Sequence, residues 1–233
     1  MTDSPNNKLY GDNGLISFVI RTRDEEQYVG FAIQSILNFF GSKTHIVIVD
    51  NESRDETLRN VSVFPPRFYD IDVISINRNS YSPGKALNIG MSQCKSNIVG
   101  ILSAHCQIQD INTTQLVNYF EDPKCFGVIG KQIPIYKGKK ITPRYIWQNF
   151  LCDSPTKNLV ENTEEKRYFF HNAFSFVNYS LWKEIPFDED LYGKEDRFWA
   201  NKLVGMNYHF YLDPSFVCHH FWTPSGATWI NIG

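Results

Sequence analysis

The sequence predicts an α/β fold, with a mostly parallel central sheet flanked by helices. Three observations lead there. Short apolar runs alternate with amphipathic stretches through the first half of the chain, the pattern of strands joined by crossover helices. Turn and cap residues separate the runs. Polar residues then cluster just beyond several apolar runs, where open α/β sheets bind ligands. The chain has 233 residues, 42% of them hydrophobic and 21% charged. That is ordinary globular composition, and long enough to bury a substantial core. No internal repeat, low-complexity tract or convincing linker divides it, so residues 1–233 read as one domain.

Residues 15–20 read as a buried strand. Asp24 and Gln27 have the spacing of a capping box opening a helix that stops near Gly41. Residues 45–49 form the next strand. Ser53 and Glu56 repeat the box before a short helix ending near Val63, and Pro65-Pro66 breaks the chain. Residues 71–76 are a third strand. Ser82-Pro83 starts a helix with proline where its missing N–H does no harm. Residues 97–102 are the fourth strand.

The second half is less regular. Residues 126–136 read as a longer strand, and 137–167 as a polar loop over the site. Residues 193–203 read as a helix headed by Glu195 and Asp196, and 208–211 and 215–219 as two strands.

Composition narrows the partners. The net charge of -2 and the absence of a basic run give no footprint for nucleic acid. No apolar run reaches transmembrane length. The odd set of five cysteines contains no CxxC pair, and no signal-peptide pattern opens the polar stretch 1–13. Free thiols in a cytoplasmic protein are the expectation, with a peripheral seat on the inner face of the membrane as its closest approach to lipid.

The glycine-rich loops that usually cradle phosphate are absent, as are GxSxG and HExxH. A bound phosphate would therefore need side chains and a metal. Asp50 and Asn51 either bond a base or ribose, or form a capping turn. His105 either ligates a divalent metal or is a bonded histidine at a sheet edge. A second strand-end pair, His219-His220, puts a shared ion, with diphosphate oxygens completing its shell, level with the sheet-edge reading. Glu195 and Asp196 either answer a helix dipole or supply a general base. Lys85 and Arg78 either face phosphates or are solvated.

Together these segments resemble the family 2 glycosyltransferases of the GT-A type. The residues are Ile16-Ser17-Phe18-Val19-Ile20-Arg21-Thr22-Arg23-Asp24-Glu25-Glu26, Ile46 through Thr57 (IVIVDNESRDET), and Ser82-Pro83-Gly84-Lys85-Ala86-Leu87-Asn88-Ile89-Gly90. In the second half Asn172-Ala173-Phe174-Ser175 and Tyr192-Gly193-Lys194-Glu195-Asp196 continue the match. It runs from about residue 15 to about 222.

The resemblance implies a nucleotide-sugar-binding half over about 15–105 and an acceptor half over about 106–233. Thr22 and Asn51 take base-contacting places, beside Asp50. Lys85 takes the place of a basic residue near the donor phosphates. Ser103 and His105 take the two acidic places of DxD, Asp196 that of the base, and His219 that of a histidine closing the metal site.

The departure from DxD to Ser103-Ala104-His105 resembles the DxH of the polypeptide N-acetylgalactosaminyltransferases, and shifts metal preference toward ions that accept nitrogen, such as Mn²⁺ over Mg²⁺. The implied reaction is inverting transfer from a nucleoside-diphosphate sugar to a hydroxyl of a saccharide or lipid-linked acceptor. A catalytically silent nucleotide-sugar-binding module is the alternative.

Overall fold

The computed structural model describes residues 16–42, 44–142, 145–224 and 226–229. The polar stretch 1–13 and Leu15 lie outside the described residues.

The elements run β1 (Ser17–Thr22), α1 (Val29–Phe40), β2 (His45–Asp50), α2 (Thr57–Ser62), β3 (Ile71–Ser75), α3 (Pro83–Ser92), β4 (Ile98–Ser103), β5 (Cys106–Asp110), α4 (Thr113–Tyr119), β6 (Cys125–Tyr136), β7 (Lys139–Lys140), β8 (Thr156–Lys157), β9 (Phe174–Asn178), α5 (Tyr179–Glu184), α6 (Glu195–Gly205) and β10 (His209–Phe221). A 3₁₀ turn occupies Tyr145–Phe150.

One 10-stranded sheet carries the path β3-β2-β1-β4-β9-β6-β10-β5, with β7 on β6 and β8 on β10. The pairs β3-β2, β2-β1 and β1-β4 are parallel. Beyond them β9 runs antiparallel to both β4 and β6. The sheet is therefore mixed, and parallel mainly in the first half where the strand–helix alternation is regular.

Alternation along β1 explains its two-sided burial. Phe18 and Ile20 join α1 residues Ala32, Ile33 and Ile36 in one core. Val19 points the other way, to a core holding Ala86, Leu87 and Met91 of α3. Strands covered on both faces read as continuous apolar runs, which is why 46–49 and 98–102 are legible in sequence.

Ser82 caps α3 as expected, its hydroxyl accepting the Lys85 N–H at 3.2 Å. The two capping boxes do not form. α1 begins after Tyr28 and α2 after Glu56, neither with a side-chain cap. Their cap residues instead stitch two loops together. Ser53 Oγ accepts the Asp24 N–H at 2.9 Å, and Asp24 Oδ1 accepts the Arg54 N–H at 2.7 Å. Glu25 N–H donates to Thr57 Oγ1 at 2.7 Å. A tertiary partner of equal chemistry displaced the local one.

Residues 208–219 also differ from expectation. From His209 on they lie in one strand, β10, whose register shifts between Asp213 and Val217, and that irregularity imitates a break in sequence. The 137–167 stretch is not a plain loop, since it contains β7, the 3₁₀ turn and β8. All five cysteines are free. No helix among the described residues is long and apolar enough to cross a membrane.

Gly84, in the first turn of α3, lies against the segment leading to α6. A Cβ there would come 2.1 Å from the Asp188 carbonyl oxygen, a backbone atom that cannot swing away. Gly84→Ala is expected to destabilise the fold by about 1–3 kcal/mol, read as a lowered urea midpoint with unchanged slope.

Candidate active site

The carboxyl ends of β1 and β4 open into a cleft of about 340 Å³. Arg21, Thr22, Arg23 and Glu25 line it from the end of β1 and the turn beyond, and Ser103 and His105 from the end of β4. Tyr81 and Pro83 enter before α3, Tyr192 before α6, and Gly226 and Thr228 from the C-terminal segment. A larger depression of about 490 Å³, lined by Ser42 and residues 66–72, lies at the opposite ends of the strands, away from every candidate residue.

Of the expected site residues, Thr22, Ser103 and His105 line the cleft. Asp50 does not face it freely, because its carboxylate accepts both the Ser53 N–H (3.0 Å) and the Ser53 hydroxyl (2.5 Å). Asn51 is buried with both amide atoms unpartnered, and the buried Thr22 hydroxyl is unpartnered too. Buried polar atoms are rarely left so. Lys85 sits in the first turn of α3, two residues after Pro83, and forms no ion pair among the described residues.

The structure brings His220, not His219, beside His105. The His105 and His220 rings lie 5.0 Å apart. His220 is fully buried against Trp147 and Trp229, whereas His219 points to the other face of β10 and packs on Phe221. Adjacent strand residues face opposite ways, so only one of the pair can reach His105.

His105 Nδ1 meets Glu25 Oε1 at 2.8 Å, and His220 Nδ1 meets Gln132 Oε1 at 2.8 Å. Each ring thus has an oxygen acceptor at Nδ1, the arrangement that orients a metal-binding imidazole by its other nitrogen. Burial, with His105 and His171 nearby, holds His220 well below the ordinary histidine range, so it is neutral. No group of three or more His, Cys, Asp or Glu among the described residues could hold a metal. The two imidazoles therefore fit a divalent ion only if ligand oxygens complete its shell.

The start of α6 lies behind the cleft, reached through Arg21, whose guanidinium approaches Glu195 at 3.4 Å. Its N-cap, Lys194, takes a left-handed backbone (φ 59°) and offers no side-chain cap. Asp196 accepts the Arg197 N–H at 2.8 Å, the Arg197 guanidinium at 3.0 Å and the Asn172 N–H at 3.1 Å. Burial would raise this carboxyl, but Arg197, His171 and the Asn172 N–H outweigh it and hold it below the ordinary range.

Glu195 behaves oppositely. Its closest cation is Arg21 at 3.4 Å, and burial, with Asp196 next to it, pushes its carboxyl up. Arg197 also holds Glu161 at 2.8 Å. Glu25, Gln132, Arg21 and His171 were not singled out as site residues by sequence reasoning. They work through partners distant in the chain: Arg21 and Glu25 fall inside the opening family segment without being marked within it, and Gln132 and His171 lie outside every such segment.

The Glycosyl transferase family 2 model matches residues 17–184. The chain belongs to glycosyl transferase family 2. It is 25% identical over 192 residues to the O-antigen chain rhamnosyltransferase RfbN of Salmonella typhimurium (strain LT2), covering 77% of this chain and 58% of that protein. The chain thus spans less than two thirds of this curated relative.

Among solved structures, S. aureus TarS 1-349 in complex with UDP superposes with a TM-score of 0.67 at 18% identity, covering 90% of this chain and 61% of that one. Its complex with UDP-GlcNAc gives 0.68 at 17%, with 91% and 59% coverage. GalNAc-T7 with UDP, GalNAc and Mn²⁺ gives 0.64 at 15%, with 91% and 44% coverage. These likenesses establish the GT-A fold for this family 2 glycosyltransferase.

The two acidic residues of α6 have opposite linkage. Glu195, raised in the fold, contributes most at acid pH and loses that contribution as pH rises through its native pKa. Asp196, lowered, contributes above the ordinary carboxyl range and loses it as pH falls through its native pKa. Near neutral pH, Glu195→Gln is expected to stabilise the protein. Asp196→Asn is expected to destabilise it by about 3 kcal/mol, because Arg197 loses its nearest buried partner. Urea unfolding across the acid-to-neutral range checks both signs.

Proposed function

We propose that this family 2 glycosyltransferase transfers a sugar, with inversion, from a nucleoside-diphosphate sugar to a hydroxyl of a saccharide or lipid-linked acceptor. The observation that carries the reading is the convergence of Ser103, His105 and Thr22 on one cleft at the carboxyl ends of β1 and β4, with the Glu195–Asp196 pair behind Arg21. The unpartnered, buried hydroxyl of Thr22, which lines the cleft, supports a nucleotide base there, with Asn51 assigned beside it. Lys85 is assigned to the diphosphate. The RfbN relative and the UDP complexes of TarS support surface-saccharide assembly and a UDP-type donor.

His105 and His220 would hold the divalent ion, and GalNAc-T7, solved with Mn²⁺, supports that choice. Bound there, the ion would offset charge developing on the leaving diphosphate. Arg21 adds a cation to the same cleft. Burial pulls its guanidinium down, but Tyr81, Glu195 and Asp196 together keep it firmly charged. Asp196 is assigned the acceptor proton, oriented by Arg197 and the Asn172 N–H. A second reading gives the proton to Glu195, and the observation favouring it is that Asp196 already accepts several bonds while Glu195 has one weak partner.

A direct comparison decides between them. Asp196→Asn, assayed at saturating donor and acceptor, is expected to lose about 10²–10⁴-fold in kcat, with Glu195→Gln retaining more. The reverse order transfers the role to Glu195, and full activity in both sinks base catalysis by this pair.

Donor and metal are tested together by thermal shift with UDP-, GDP-, dTDP- and CMP-sugars, with and without Mn²⁺. A UDP-sugar is expected to raise Tm most, and more with Mn²⁺ present. Transfer that survives chelation overturns the metal assignment. Binding without transfer would favour a silent sugar-binding module.

A further inference from the structure

Residues 171–173 form a turn that joins the start of α6 to the end of β4. The Asn172 N–H donates to Asp196 at 3.1 Å, and the Ser103 N–H donates to the Ala173 carbonyl at 2.9 Å. The same turn begins a buried polar chain. The Ala173 N–H points at His171 Nδ1 at 3.3 Å. Gln132 Nε2 approaches that same nitrogen at 2.8 Å, and Gln132 Oε1 lies 2.8 Å from His220 Nδ1. His171, Gln132 and His220 are 6%, 2% and 0% exposed, so water cannot substitute freely for any partner.

The protons in this chain have only one consistent arrangement. A backbone N–H can only donate, so His171 Nδ1 must carry a lone pair. The end of Gln132 facing it must then be the NH₂, and the opposite end the carbonyl. A carbonyl only accepts, so His220 Nδ1 must carry the ring proton. Burial, with Arg197 beside it, pulls His171 down to about 3, in keeping with a neutral ring that accepts. His220 Nε2 is left with its lone pair and has no partner. The indoles of Trp147 and Trp229 pack on the ring and carry N–H donors only, so nothing there draws a proton onto Nε2.

We infer that Gln132 is a positioning residue, which reads the polarity of the Ala173 N–H through His171 and locks His220 with Nδ1 protonated and Nε2 bare. This rests on the proposal that His105 and His220 hold the divalent ion. A bare Nε2 needs no tautomer change before it ligates, and the orienting partners of metal histidines are commonly worth 10- to 100-fold in affinity.

The test uses the full chain with ¹⁵N-labelled histidine. In the metal-free wild type, His220 should show a protonated Nδ1 and a bare Nε2 by long-range ¹H–¹⁵N correlation. In Gln132→Leu that single pattern should give way to mixed tautomers, and Mn²⁺ affinity in the presence of UDP should fall roughly 10- to 100-fold. Gln132→Glu keeps an oxygen acceptor toward His220 and should restore the Nδ1-protonated pattern.

A wild-type His220 protonated at Nε2 overturns the inference, as does unchanged Mn²⁺ affinity in Gln132→Leu. If Gln132→Leu does not fold, the wild-type and Gln132→Glu spectra decide. A wild type that binds no Mn²⁺ defeats the metal proposal instead, and is distinguished because the ring protonation is read without metal.

Discussion

The antiparallel pairing of β4 with β9 is the seam on which the rest of the molecule depends. On one side the strands run parallel, so their carboxyl ends share one edge. On the other, β9 reverses direction and starts where β4 ends: Leu102 faces Phe174, and the Ser103 N–H reaches the Ala173 carbonyl. That meeting places the turn 171–173 at the carboxyl end of β4. Without the reversal, Asn172 could not hold Asp196 and His171 could not meet Gln132.

Charge in the site is organised by burial and partner choice. Two adjacent carboxylates at the head of one helix share the same backbone dipole, yet they shift in opposite directions. Asp196 is enclosed by Arg197 and a backbone N–H, while Glu195 has mainly a distant guanidinium and the negative charge of its neighbour. The histidines follow the same logic. Both rings near the cleft engage an oxygen through Nδ1, one from a carboxylate and one from an amide. The partners of these two imidazoles are Glu25 and Gln132, a loop residue and a residue of the long strand β6.

The loops at the carboxyl edge are held by exchanged caps. Asp24, Ser53 and Thr57 carry the chemistry of helix caps and spend it across the gap between two loops. This ties the turn after β1 to the turn after β2, and so fixes Thr22 and Asn51, whose backbones also pair at 2.9 Å. Arg78 closes the same assembly through Asp24 at 2.9 Å and the Glu52 carbonyl.

The sequence by itself determined the α/β class, the buried strands of the first half, the proline-headed helix α3 and the family signature. Each is written in local chemistry: apolar runs, a cap, a proline, a motif. It also pointed to Thr22, Ser103 and His105, which line the cleft because they follow the ends of β1 and β4. Tertiary structure alone decided which of His219 and His220 faces His105, since strand alternation makes neighbours opposite and the register of β10 sets which is which. It decided that Asp50 serves Ser53, that cap residues bridge loops, and that Gln132, His171 and Glu25 orient the histidines. Those roles join residues dozens of positions apart, and no local pattern encodes the partner that a side chain will find once the sheet has closed around it.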